Sequence, residues 1–325
     1  MGMSRRFSSV PILKKVLPRV ELLPSSGGVV ASNGIVGRKP NRSPRYNYLL
    51  ANITIGNPAQ ELQLKIDVNT DEFWVISKEC KAVQCRGLKG HMYPFRNKQQ
   101  YDATTSSSAR PTTQKFGLGF GQGFVSGMGI RDQVTVGDIT LSNREVAAAS
   151  NIQLFFGYEP ADGVLGLGFE AIKPGAKSNW ELPIDSLLAN KDKIYSLQLS
   201  EAGHRQLVGE INFGQVDKEV CSGKIEFIES IDENSWKLRL DGIRVSDVEV
   251  AFNGRVALDP ASVFIQAPND LVNAIYNVIK PIHMSYWGYV MECDKIPETP
   301  SIFINVNGIE LEIESKNYIL DVSDM

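Results

Sequence analysis

The 325-residue sequence contains no uninterrupted run of about 18 apolar residues, so no membrane-crossing helix and no membrane partner are expected. Its first residues, Met1 to Val10, are basic but lack the apolar core of a signal peptide, and no signal peptide is visible. Histidine is scarce: His91, His204 and His283 are isolated, show no ligand spacing and are read as structural or surface residues, with no metal expected. Cysteine is scarce too. Cys80 and Cys85 enclose a short loop whose length suits a small disulfide, and a metal site would need two further close Cys or His. There is no Gly-rich phosphate loop with Lys and Ser or Thr, no Gly-x-Ser-x-Gly elbow, and no His set beside a nucleophile. Nucleotide hydrolysis and serine or cysteine catalysis are therefore disfavoured, and no cofactor is expected.

What is present is 42% hydrophobic content with 28 Gly and 16 Pro, a composition of strands and turns. The net charge of −3 is unevenly spread. Through Arg45 there are nine Lys or Arg against one acid, Glu21, so this segment carries +8 and the remainder −11. An acidic body argues against nucleic acid as the main partner. Residues 1–45, with Pro11, Pro18, Pro24, Pro40 and Pro44, read as an arm and linker.

From Tyr46 the pattern changes to a period of two. A turn at Gly56-Asn57-Pro58-Ala59 leads into Glu61 to Val68, a hairpin that delivers Asp67 at its end. Phe116 to Gly127 interleaves Gly with mostly apolar residues and reads as a flexible hairpin, whether a lid or a plain surface hairpin. Asp162-Gly163-Val164-Leu165-Gly166-Leu167 reads as a turn and a buried strand, with Gly where another backbone passes closely. Short helices are expected at Pro183 to Asn190 and from Leu271 to Ile279, the latter ended by Pro281; strands are expected at Ser196 to Ser200 and Gly209 to Gly214. The class is mainly β.

Two stretches carry the chemistry, Asp67-Val68-Asn69-Thr70 and Asp259-Pro260-Ala261-Ser262. Each Asp follows an apolar strand-like run and has a hydroxyl residue three positions on. The repetition suggests two related lobes with one carboxylate each. Two facing carboxylates cannot both ionise, so such a pair can serve as base and acid toward a water and a peptide carbonyl.

These residues resemble the pepsin-like aspartic peptidase family from about Tyr46 to the end of the chain. Ile53 to Gln60 is similar to the strand before the first Asp, Trp74-Val75 follows that Asp as usual, Cys80 and Cys85 match the small disulfide loop, the Gly-rich hairpin matches the flap, and Asp162 to Leu167 matches the strand crossing the first Asp loop. The resemblance implies a bilobal β fold with a cleft between two barrel-like lobes, residues 46–195 and 196–325. It also implies a peptide or unfolded protein in the cleft, and hydrolysis at acidic pH through Asp67 and Asp259 with Thr70 and Ser262 supporting them. A secreted or lysosomal setting follows from the family. The arm at 1–45 takes the place of its pro-segment, and Lys14 or Lys15 is expected to pair with Asp67 or Asp259 in the chain's own cleft.

Departures cluster at the chemistry. The family's Asp-Thr-Gly becomes Asp67-Val68-Asn69 and Asp259-Pro260-Ala261, so both Thr hydroxyls that hold the carboxylates coplanar are missing. The flap Tyr becomes Phe120, followed by Gly121, which removes an oxygen partner for the Trp74 indole N–H. After Asp259 come 66 residues without a second apolar-apolar-Gly segment to repeat Val164-Leu165-Gly166, so the second lobe is expected to stop before its closing strands, and Cys293 is either free or paired with Cys221. Three readings follow: a peptide-binding homologue with impaired catalysis, a working endopeptidase of reduced rate, or an interaction protein whose cleft is incomplete.

Overall fold

The computed structural model describes residues 8–18, 35–37, 45–88, 97–120, 123–168, 181–199, 207–216, 225, 227–231, 236–250, 254–259, 265–285 and 288–320. The chain divides into two compact units, Met1–Val16 with Asn47–Glu226, and Leu17–Tyr46 with Phe227–Met325. The arm supplies two strands, β1 (Ser8–Pro18) and β2 (Ile35–Gly37).

The first unit continues with β3 (Arg45–Ile55), β4 (Gln60–Asp67), β5 (Phe73–Ile76), β6 (Arg110–Phe120), β7 (Gly123–Val136) and β8 (Ile139–Ile152). The short helix α1 (Leu154–Tyr158), β9 (Gly163–Gly166), α2 (Pro183–Leu187), β10 (Tyr195–Leu199) and β11 (Leu207–Phe213) complete it. Its sheet runs β10-β11-β1-β3-β4-β9-β5-β8-β7-β6, and an extra β3–β7 pairing closes six of these strands into a barrel. Alternation explains the closure. In β4, Leu62, Leu64 and Ile66 point inward and Gln63, Lys65 and Asp67 outward. The inward set joins Leu49, Ile53, Ile55, Val134, Val136 and Leu165 in one core, each fully buried aliphatic side chain contributing roughly 1.5–3 kcal/mol. Strands β5 and β9 are buried on both faces and carry no charge.

A buried polar cluster fixes one end of the barrel. The Asp132 carboxylate, on the inward side of β7, accepts from the Tyr101 hydroxyl at 2.6 Å, the Ser108 hydroxyl at 2.5 Å and the Gln133 N–H at 2.8 Å. Burial pushes this carboxyl up, but the bonds from Ser108, Tyr101, Ser106 and Gln133 together outweigh it and hold it below the usual aspartate range. The loop that carries Ser106 and Ser108 is thereby tied to the barrel.

The second unit comprises β12 (Lys237–Val245), β13 (Val248–Val250), β14 (Gly254–Ala257), α3 (Asn269–Ile279), β15 (His283–Ser285), β16 (Gly288–Met291), β17 (Ile302–Val306), β18 (Ile309–Ile313), α4 (Ser315–Tyr318) and β19 (Ile319–Leu320). One sheet runs β13-β12-β17-β18 with β14 also on β12; the other runs β15-β16-β2-β19. The β17–β18 hairpin turns on Asn307-Gly308, with φ of 51° and 77°, the Asn-Gly pair that a tight two-residue turn selects. Helix α3 packs Leu271, Val272, Tyr276 and Ile279 onto Leu240, Ile243 and Val245, and stops where Lys280 turns left-handed at φ 53°. Among the described residues no helix is long and apolar enough to cross a membrane.

Candidate active site

Asp67 is the last residue of β4. Strand periodicity sets residues i and i+2 on one face, so Lys65 lies beside it. The Lys65 Nζ stands 3.1 Å from Asp67 Oδ2, and Asp67 Oδ1 accepts the Asn69 N–H at 3.0 Å. Asp67 therefore has a cation of its own strand on one oxygen and a backbone donor on the other.

The loop after Asp67 is held by β9, which runs parallel to β4 with Lys65, Ile66 and Asp67 opposite Val164, Leu165 and Gly166. The Leu167 N–H donates to Asp67 O, Gly168 N–H to Thr70 O and Gly166 N–H to Glu72 O, each at 2.8 Å. A Cβ on Gly166 would sit 2.8 Å from Glu72 N and collide with Thr70 O, so glycine is required for the crossing. Asp162, fully buried, fixes the start of β9 by accepting Gln63 N–H and Gln99 N–H, each at 2.9 Å.

Val68 is 7% exposed and brings no hydroxyl into this loop. Asn69 is exposed and is not among the residues with positive φ, so the left-handed backbone that Asn would tolerate is not used there. Thr70 Oγ1 accepts the Glu72 N–H at 3.4 Å. Trp74 is buried edge-on against Phe156 at 5.4 Å, and its indole N–H finds no acceptor among the described residues. Phe120 itself ends β6, paired by backbone with Gly123 across the hairpin tip; Gly121 lies outside the described residues. Cys80 and Cys85 form a disulfide with Cα atoms 5.9 Å apart.

Asp259 lies two residues beyond β14 and is exposed; the preceding Leu258 N–H donates to Trp236 O at 3.4 Å. Ser262, Cys221, His91 and His204 lie outside the described residues.

Sequence reasoning passed over three charged residues near Asp67. Lys65 was readable, since a Lys two positions before an Asp in a strand shares its face. Lys98 and Glu159 were not, because they are brought in from distant segments. The buried Lys98 donates to Glu159 O at 2.7 Å and Ala161 O at 2.5 Å. Burial pushes the Glu159 carboxyl up; Lys65 and Lys98 pull the other way, and Asp67 adds to the rise, leaving it above the usual range.

A barrel closed around an Asp-bearing strand, crossed by a glycine-dependent parallel strand and flanked by a small disulfide loop, defines an aspartic-peptidase type of unit. The family described as Eukaryotic aspartyl protease matches residues 47–325, and the chain belongs to it. It is 26% identical over 283 residues to Aspartic protease 1 of Caenorhabditis elegans, covering 85% of this chain and 70% of that protein. It is 29% identical over 290 residues to Pregnancy-associated glycoprotein 6 of Ovis aries, covering 86% and 71%. It is 26% identical over 274 residues to Probable vacuolar protease A of Trichophyton verrucosum, covering 83% and 66%.

Proposed function

We propose that this member of the aspartyl protease family binds peptide segments and hydrolyses them poorly or not at all. The observation that carries the reading is the ion pair between Lys65 Nζ and Asp67 Oδ2 at 3.1 Å. A carboxylate that activates water has to present an oxygen to that water and share a proton with a second carboxyl. Here one oxygen of Asp67 faces an ammonium and the other a backbone N–H. The missing hydroxyl at Val68 and the Pro260-Ala261 sequence after Asp259 act in the same direction, since misplacement by about 1 Å costs on the order of 100-fold in rate. Peptide or unfolded protein remains the ligand class, and the vacuolar name of one relative supports a secretory-route setting.

A second reading, a working aspartic endopeptidase of reduced rate using Asp67, Asp259 and a water at acidic pH, has one observation in its favour. The backbone framework that holds the Asp67 loop, Leu167 N–H to Asp67 O and Gly168 N–H to Thr70 O, is complete.

The test is cleavage of an unfolded protein substrate from about pH 2 to 7, a range that spans the acid side where a proton-sharing pair works. The chain is compared with Asp67→Asn and Lys65→Val, and binding of a statine-type peptide is followed in parallel. The reading expects statine binding without cleavage, and first measurable turnover in Lys65→Val. Statine-sensitive cleavage by the unaltered chain, lost in Asp67→Asn, would replace it with the working endopeptidase.

A further inference from the structure

We propose that the gap between β16 and β19 of the second unit is a peptide-binding slot, taking one extended aliphatic-aliphatic-Gly segment as a parallel strand, and that its occupant is Ile35-Val36-Gly37 of the chain's own arm. Strand β2 is an inner strand of its sheet. It pairs in parallel with β16, Ile35, Val36 and Gly37 opposite Tyr289, Val290 and Met291, and also in parallel with β19, Ile35 and Val36 opposite Ile319 and Leu320. Taking it away would leave β16 and β19 without a common neighbour and expose an edge on each. With β2 in place its neighbours are covered: Val290 is 7% exposed, Met291 5% and Ile319 4%, and Met291 and Ile319 belong to the core under α3. Without it, apolar surface beside that core and the backbone groups that β2 pairs would both lose their partner, which favours a filled slot.

The chemistry of the slot is set by its two walls. Recognition is by backbone hydrogen bonds from both sides, the mode in which an added strand is held in a sheet, so the occupant must be extended and must contain no proline. An inner strand position favours uncharged residues, and Ile35-Val36-Gly37 has none charged, although Arg38 and Lys39 follow at once. The same aliphatic-aliphatic-Gly pattern forms the inner strand β9 of the first unit, Val164-Leu165-Gly166. Ile35-Val36-Gly37 is therefore part of the second unit's fold and not a detachable cover. Cutting it free would open the slot to another peptide of this class.

The full chain carrying Val36→Cys and Val290→Cys is the first test. Parallel neighbours stand about 4.8 Å apart, within the span a disulfide bridges. We expect an intrachain disulfide between the two introduced thiols on mild oxidation, mapped by mass spectrometry. Absence of that bond, or its formation only between two chains, would overturn the assignment. The second test follows amide exchange in Val36→Pro against Val36→Ala. Proline, having no N–H, should speed exchange at 289–291 and 319–320 by about tenfold while amides of β8 keep their rates, and a synthetic hexapeptide of residues 33–38 in excess should slow it again. Unchanged exchange in Val36→Pro, or no response to the hexapeptide, would sink the slot.

Discussion

Individual residues set local costs that can be measured one at a time. The Trp74 indole N–H is buried without an acceptor among the described residues, a state that costs about 1–3 kcal/mol. Phe120→Tyr supplies a hydroxyl at the end of β6, and we expect it to raise the urea midpoint by an amount corresponding to about 1 kcal/mol; no change would mean that the ring does not reach Trp74. Two carboxyls, the buried Asp132 and the half-buried Glu159, give the chain a pH response of opposite signs. Asp132 lies below its unfolded value of about 3.9, so its contribution is present above that pH and lost as the pH falls through the folded value. Glu159 lies above its unfolded value of about 4.3, so its contribution is present below that pH and lost as the pH rises through the folded value. Asp132→Asn should then cost about 1–3 kcal/mol at pH 7 and much less below about pH 3. Glu159→Gln should stabilise the chain at about pH 7 and leave it unchanged near pH 4. Urea unfolding at these pH values measures both, and equal effects across the range would contradict the assignment.

At the level of elements, the crossing of β9 beneath the Asp67 loop leaves no room for a side chain at Gly166. Gly166→Ala places a Cβ 2.8 Å from Glu72 N and into Thr70 O, both backbone atoms with no rotamer to yield. We expect a loss of more than about 2 kcal/mol and, with it, weaker binding of a statine-type peptide, because the displaced segment is the one bearing Asp67. Calorimetry on the variant would show the first effect and titration the second. A Tm within a degree of the parent would mean the loop shifts freely. This crossing was legible in the sequence: Asp162-Gly163-Val164-Leu165-Gly166 announces a turn, a doubly buried strand and close backbone approach through residue types alone. So were the β3–β4 hairpin, the Gly-rich hairpin β6–β7, the short helix α2 and the amphipathic α3. The Lys98 bonds to Glu159 O and Ala161 O were not legible, since they join residues 61 and 63 positions apart and no periodicity relates them. Nor was β2 legible, because three residues in a Pro- and Gly-rich arm carry no alternation, and only the two strands that flank them make them a strand.

For the molecule as a whole, the question is what holds a +8 arm to a −11 body. Two physical answers give different dependences on salt. If Lys14 or Lys15 pairs with Asp67 or Asp259, the attachment is charge against charge and weakens as the Debye length shrinks from about 10 Å at 0.1 M to about 3 Å at 1 M. If the arm is held as strands, β1 between β11 and β3 and β2 between β16 and β19, the bonds are backbone to backbone and nearly indifferent to salt. A protease site inserted between Ser26 and Gly27 lets the chain fold whole and then be cut between the two strands. We expect the cut protein to elute as one species at about 0.05 M and at about 1 M salt alike. It should unfold at a lower urea concentration than the uncut chain, because cutting removes the high effective concentration that the covalent link gave β1, while β2 stays joined to the body. An arm fragment that separates on adding salt, leaving a soluble body with its far-UV spectrum intact, would identify a detachable segment of the pro-segment kind. Pairing of the arm by charge would then replace pairing by strand.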